Sequence, residues 1–205
     1  MLSRYSEPGS SIAALTAPYL GGPTFALRYR ILRLVWILSW TMLASWTPHP
    51  LQPVRRLLLR IFGAEIHPTA MVRGSVRIWW PANLSIGAHA SLGPGVICYN
   101  VAPVLVEDFA VVSQRAHLCT ATHDVDDAGF QLTSRPIHIG RKAWIAAEAF
   151  VGPGVTLGEG AVLGARGVAA RHLEDWTIYA GNPARPIRAR RKLPITDRSQ
   201  APSSV

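Results

Sequence analysis

Seven histidines are the groups in this 205-residue chain best suited to move a proton near neutral pH, and their positions are not equivalent. His123 closes a regular six-residue unit begun at Leu118, where the period breaks for the stretch DVDDAGFQLTSRPIH. A long insertion in a periodic chain is where a binding surface can be built, because regular repeats alone make no pocket. His67, His89 and His172 fall on turn or outward positions of regular units, His49 lies in the proline-rich tract TPHPLQP, and His117 and His138 each precede an inward aliphatic residue. Their places in the pattern explain those six without function. Neutral imidazole can accept a proton near neutral pH, and His123 is the histidine placed where a binding surface could form. Cys119 lies four residues earlier, but nothing around it marks an activated thiolate, and Cys98 occupies an inward position as a small core residue. The two cysteines make no disulfide framework, and no residues show zinc-ligand spacing, so no metal is expected.

The elements that must hold His123 follow from a period of six. Aliphatic or small apolar residues recur at Ile66, Val72 and Ile78, at Ile86, Leu92 and Cys98, and at Val106, Val112 and Leu118; after the interruption they resume at Ile139, Ile145, Val151, Leu157, Leu163 and Ala169. Four residues after each stands a small or β-branched residue, such as Ala70, Ala90, Ala110 or Ala143. Six matches neither a helix nor a flat strand, but suits a short strand and a turn repeated three times per coil. The fifteen units make five triangular coils, a shaft about 24 Å long at roughly 4.8 Å per coil. Glycine follows the aliphatic residue in IGAHAS, LGPGVI, IGRKAW and LGEGAV, where it is expected to supply turn conformations that a Cβ forbids.

This periodicity, with THD at Thr122 to Asp124, PIHIGRKAWIA at Pro136 to Ala146, PGVTLGEGAVLGA at Pro153 to Ala165 and AGNPARPIR at Ala180 to Arg188, resembles the hexapeptide-repeat acyltransferases. The branch it resembles most holds the maltose, galactoside and nodulation acetyltransferases and the colanic-acid or exopolysaccharide type of O-acetyltransferase. The resemblance implies an all-β, left-handed parallel β-helix, a homotrimer with sites shared between subunits, and acetyl-CoA as cosubstrate. It implies transfer of acetyl, in a ternary complex with His123 as base, to a hydroxyl of a sugar or lipid-linked saccharide. It also places coenzyme A in a groove touching Ala147, Ala165, Ala170, Arg171 and Arg188, and the acceptor against Asn100 and Trp144. WIA in place of the usual WIG, and ARGVAAR where a serine and a threonine-lysine pair are frequent, put single polar contacts in doubt rather than the groove. The rival readings are a different small acceptor, serine or an antibiotic, and a non-catalytic β-helix scaffold.

Composition agrees with a folded, turn-rich chain: 49% apolar and 16% charged, with 17 glycines and 16 prolines, fits neither a disordered chain nor a helical bundle. The net charge of +9 sits at the ends. Residues 8–64 carry Arg28, Arg30, Arg33, Arg55, Arg56 and Arg60 and no acid, and residues 185–192 carry five basic groups, whereas 66–184 holds eight basic and nine acidic residues. The division expected is a flexible arm at 1–25, an apolar and basic helical segment at 26–62, the β-helix at 63–182 with its site loop at 119–138, and a basic segment with a disordered tail at 183–205. The run ILRLVWILSWTMLASW at 31–46 is too short and interrupted to span a bilayer, which needs about 20 residues. It suits a helix lying in a membrane interface, or one packed on the shaft or across a subunit contact. The flanking arginines are expected to meet an anionic membrane, so that removing residues 1–60 weakens only that partner. Nucleic acid is not expected, for want of an aromatic-lined groove or recognition helix. The two cysteines without a disulfide framework, and the lack of signal-peptide order in the first 25 residues, lead to the expectation of a cytoplasmic protein, peripheral on the inner face of the cytoplasmic membrane.

Overall fold

The computed structural model describes residues 25–192; the arm before Phe25 and the tail after Lys192 lie outside the described residues. The shaft is a left-handed parallel β-helix. Its first coil is β1 (Glu65–Ile66), β2 (Met71–Val72) and β3 (Arg77–Ile78), and its second β4 (Leu84–Ile86), β5 (Ser91–Leu92) and β6 (Ile97–Tyr99). The third is β7 (Val104–Val106), β8 (Val111–Val112) and β9 (His117–Cys119). The chain then leaves as a hairpin, β10 (Ala121–His123) and β11 (Leu132–Ser134), and returns as β12 (Ile137–Ile139), β13 (Trp144–Ile145) and β14 (Phe150–Val151). The fifth coil is β15 (Thr156–Leu157), β16 (Val162–Leu163) and β17 (Val168–Ala169), followed by β18 (Thr177–Ala180) and β19 (Arg185–Ala189). Strands of like position stack into three sheets: a first face of β1-β4-β7-β12-β15, a second of β2-β5-β8-β13-β16-β18-β19 and a third of β3-β6-β9-β14-β17.

Every aliphatic position predicted to point inward is buried, from Ile66 to Ala169, and so are most of the small residues four places later, with Ala70, Ala90, Ala110, Ala116, Ala143 and Ala149 at 0% exposure; Ala82, in the short helical turn before β4, and Thr122, in the hairpin, are exposed where the regular corner is interrupted. Five coils are complete, and the period runs on into a partial sixth, in which Leu173 bridges Leu157 and Tyr179 pairs with Leu163. Glycine's role differs from the one expected. The left-handed corner residue, three places after the inward aliphatic, is often not glycine: His89, Phe109, Arg115, Lys142, Glu148, Arg166 and Trp176 hold it with φ of 50–61°. The glycines directly after the aliphatic residue stand instead where the next coil comes too close for a side chain. A Cβ on Gly140 would lie 2.7 Å from the Leu157 carbonyl oxygen and 2.9 Å from the Gly158 carbonyl carbon.

The stacking leaves one end of the shaft unfinished. Each coil donates its N–H groups to the carbonyls of the next, as Met71 does to Ala90 and Ser91 to Ala110, both at 2.9 Å. First-coil carbonyls therefore have no coil before them. Helices α1 (Leu27–Leu43) and α2 (Gln52–Ile61) close this end with side-chain donors. Arg60 donates to the Ile66 carbonyl at 2.6 and 3.0 Å, Arg56 to Ala70 at 3.2 Å, and Arg55 to Val72 at 3.2 Å. Trp36 donates its indole N–H to Ile78 at 2.8 Å and Trp40 to Gly74 at 3.1 Å. Arg55 is 2% exposed and also bonds the Thr47 and Pro48 carbonyls. Three of the six arginines expected to face a membrane are thus bound to the shaft's own backbone, and removing residues 1–60 would also strip this cap.

Candidate active site

His123 ends β10, and the hairpin is what aims it. Its partner across the antiparallel pair is Leu132, and the turn beyond closes through Asp124 N–H to the Gln131 carbonyl at 2.9 Å and Phe130 N–H to the Asp127 carbonyl at 2.8 Å. Phe130 takes a left-handed conformation, φ 48°, that turns its ring onto the imidazole, centroids 4.3 Å apart and planes within 6°. The Phe130 carbonyl oxygen lies 2.8 Å from His123 Nδ1. A carbonyl can only accept, so Nδ1 carries the proton and Nε2 presents its lone pair. The half-buried ring is therefore held in the tautomer that a base requires.

The hairpin leaves from the corner joining the third face to the first. Ala170 and Arg171 lie at the same corner two coils on, exposed, beside a pocket of about 360 Å³ that Arg185 also lines. Ala147 and Ala165 stack on the corner between the second and third faces, where Arg166 N–H reaches the Ala147 carbonyl at 2.9 Å. The two pairs flank the end of the third face, whose outward residues there are Phe150 and Val168 in register. Arg188 is exposed on β19, beyond the last coil.

Trp144 is 45% exposed on the second face, with its indole N–H on Ser113 Oγ at 2.9 Å. It belongs to a registered outer column running Met71, Ser91, Val111, Trp144, Val162 and Ile178. Within one chain it stands on another face of the prism from the His123 hairpin. Asn100 is at the His123 corner, one coil before the hairpin, but it is fully buried: its carboxamide donates to the Trp80 carbonyl at 2.7 Å and accepts from Trp80 N–H at 3.0 Å. Those two bonds turn the amide inward onto the neighbouring coil.

Two arrangements escaped the sequence reading. His138 Nε2 lies 2.7 Å from Glu107 Oε1 on the first face, a pair whose members are 31 residues apart and meet only because β12 and β7 are neighbours. Aromatic residues also gather beside His123's corner: Trp79 meets Tyr99 edge-on at 4.8 Å, and Tyr99 is in register with Cys119. Burial raises the Tyr99 pKa and so does Cys119, with Arg33 opposing. Burial pushes the Cys98 thiol up to about 12 and leaves it inert as a nucleophile. Among the described residues no group of three or more His, Cys, Asp or Glu could hold a metal.

No family model matches the chain. It is 39% identical over 158 residues to WcaF of Escherichia coli (strain K12), which is named for an acetyltransferase step of colanic acid biosynthesis; the match covers 77% of this chain and 86% of that one. It is 36% identical over 133 residues to nodulation protein L of Rhizobium meliloti (strain 1021), covering 63% and 72%. Among solved structures, a maltose O-acetyltransferase from Clostridium difficile 630 superposes with a TM-score of 0.72 at 22% identity, over 82% of this chain and 90% of that one. With a periodic shaft, an interrupting hairpin and an identity that spans most of WcaF, this chain belongs to the hexapeptide-repeat acetyltransferases.

Proposed function

We propose that this acetyltransferase moves acetyl from acetyl-CoA to a hydroxyl of a saccharide, free or lipid-linked, in exopolysaccharide synthesis, with His123 as general base. The observation that carries the reading is the Phe130 carbonyl oxygen 2.8 Å from His123 Nδ1, which favours the tautomer that leaves Nε2 free to accept a proton. Nε2 takes the hydroxyl proton as oxygen attacks the thioester carbonyl, the C–S bond then breaks, and the imidazolium returns that proton to the departing thiolate. No covalent acetyl-enzyme is needed. Kinship with WcaF supports the exopolysaccharide acceptor, and the solved complexes of a Vibrio cholerae hexapeptide-repeat acetyltransferase with acetyl-CoA and of a galactoside acetyltransferase with coenzyme A support the cofactor.

For the cofactor, Ala147 and Ala165 leave room for the pantetheine arm along one corner, while Arg171 and Arg188 offer charge to phosphates near the end of the shaft. Trp144 completes the acceptor pocket from a second copy of the chain. This follows from its separation from His123 within one chain, and from the exposed apolar column of Val111 and Trp144, which suits a subunit contact. Asn100, bonded inward to Trp80, shapes the corner of that pocket. The apolar outer side of α1 favours peripheral attachment to a membrane that holds the acceptor; no helix among the described residues is long and apolar enough to cross one. The decisive experiment is His123→Ala: acetyl transfer is expected to fall about 10² to 10⁴-fold while acetyl-CoA still binds. An active His123→Ala enzyme would remove the assignment.

A further inference from the structure

Arg55, Arg56 and Arg60 are accounted for by first-coil carbonyls, which isolates the arginines at the start of α1. Arg33 lies with its guanidinium carbon 3.1 Å over the centre of the Trp79 ring, and its Nε is buried without a hydrogen-bond partner among the described residues. Burial lowers its pKa, and no acid occurs anywhere in residues 8–64 to offset the charge. A guanidinium drawn partly out of water and left unpaired is costly, and an anion beside it relieves that cost. The cleft it lines is narrow, about 40 Å³, opens to solvent, and is walled by Tyr29, Arg30, Trp79, Trp80 and Asn83.

We propose that this cleft binds the diphosphate of a glycosyl-diphosphate acceptor, with Arg30 and Arg33 holding the phosphates and Trp79 and Tyr99 passing the saccharide along the corner to His123. The proposal rests on the acetyl-transfer reading and names the acceptor class for that same site. Guanidinium groups match phosphate oxygens in charge and in planar donor geometry. Trp79, Tyr99 and Cys119 occupy one corner position in three successive coils, so about 10 Å separates the cleft from the level at which the His123 hairpin departs. Aromatic faces along that interval offer apolar walls to sugar rings. From Arg33 a second groove runs between α1 and the third face, lined by Trp36, Ile37, Trp40 and Ile97, and its apolar walls suit a hydrocarbon chain esterified to the same diphosphate.

Calorimetric titration of the whole protein with geranyl diphosphate, UDP and acetyl-CoA tests this. Wild type is expected to bind a diphosphate ester; Arg33→Gln is expected to weaken that binding about ten- to a hundredfold and to leave acetyl-CoA affinity as it was. Tighter binding of geranyl diphosphate identifies the lipid-linked source, and tighter binding of UDP the sugar-nucleotide source. Arg30→Gln, at an exposed position, repeats the test with little risk to folding, and Arg33→Lys is expected to restore part of the affinity. Failure of both diphosphates to bind wild type, or equal binding by wild type and both glutamine variants, overturns the proposal. The two readings fail separately. A wild type that acetylates no saccharide yet binds diphosphate through Arg33 loses the transfer reading and keeps the subsite; one that acetylates saccharides while Arg33→Gln binds diphosphate normally loses only the subsite.

Discussion

At the scale of single residues, His123 is a base because of what surrounds it. The Phe130 carbonyl sets the tautomer and the Phe130 ring, stacked at 4.3 Å, sets the plane. Phe130→Ala keeps the carbonyl and removes the ring, a stacking contact worth about 0.5–1.5 kcal/mol. The expected result is a kcat lowered up to about tenfold with KM for acetyl-CoA unchanged, measured by thiol release. Gly140 makes a different kind of demand. Its missing Cβ is required by the next coil's backbone at 2.7 and 2.9 Å rather than by its own φ. Gly140→Ala is therefore expected to cost about 1–3 kcal/mol of overpacking, read as a lower midpoint in denaturant with the circular dichroism of the shaft retained.

At the scale of elements, the helices close the shaft. A solenoid's terminal coil exposes a row of backbone acceptors, the same hazard that an edge strand presents, and Arg55, Arg56, Arg60, Trp36 and Trp40 supply the donors. Arg55→Met fills similar space without donors, leaving the Thr47, Pro48 and Val72 carbonyls without this partner. A loss of about 1–3 kcal/mol per unpaired group predicts a clearly lowered melting temperature, and deletion of residues 1–60 is expected to aggregate through the opened end. Hydropathy and charge pointed to the segment as amphiphilic, and two of its tryptophans do pack on the shaft as one of the two readings held. The arginine contacts were not legible, because a side chain reaching a carbonyl of another element leaves no periodic trace in sequence.

At the scale of the whole molecule, exposed apolar surface and positive charge meet on α1. The face of α1 turned from the shaft exposes Leu27, Ile31, Leu34, Val35, Leu38 and Met42, each 46% exposed or more, with Arg28 and Arg30 exposed at its start. Vesicles containing anionic lipid are expected to sediment the protein at low salt, with neutral vesicles and high salt both reducing the bound fraction, because anionic surface potential and screening set the charge contribution. Equal recovery with all vesicles would leave the apolar face alone responsible, and no sedimentation would remove the membrane from the proposal. The sequence by itself determined the shaft, its coil spacing, its inward aliphatic residues and the interruption that bears His123, because a period of six, broken by two-residue insertions before Ile86 and Val106, and small corner residues are local demands repeated from coil to coil. Only the tertiary structure decided what meets across that period: the Phe130 carbonyl on His123, Asn100 turned inward on Trp80, Trp144 on another face from the base, and Arg33 laid over the Trp79 ring. Each of these depends on which residues stacking brings together from different coils, or on how the inserted hairpin folds back on itself, and a one-dimensional pattern carries neither.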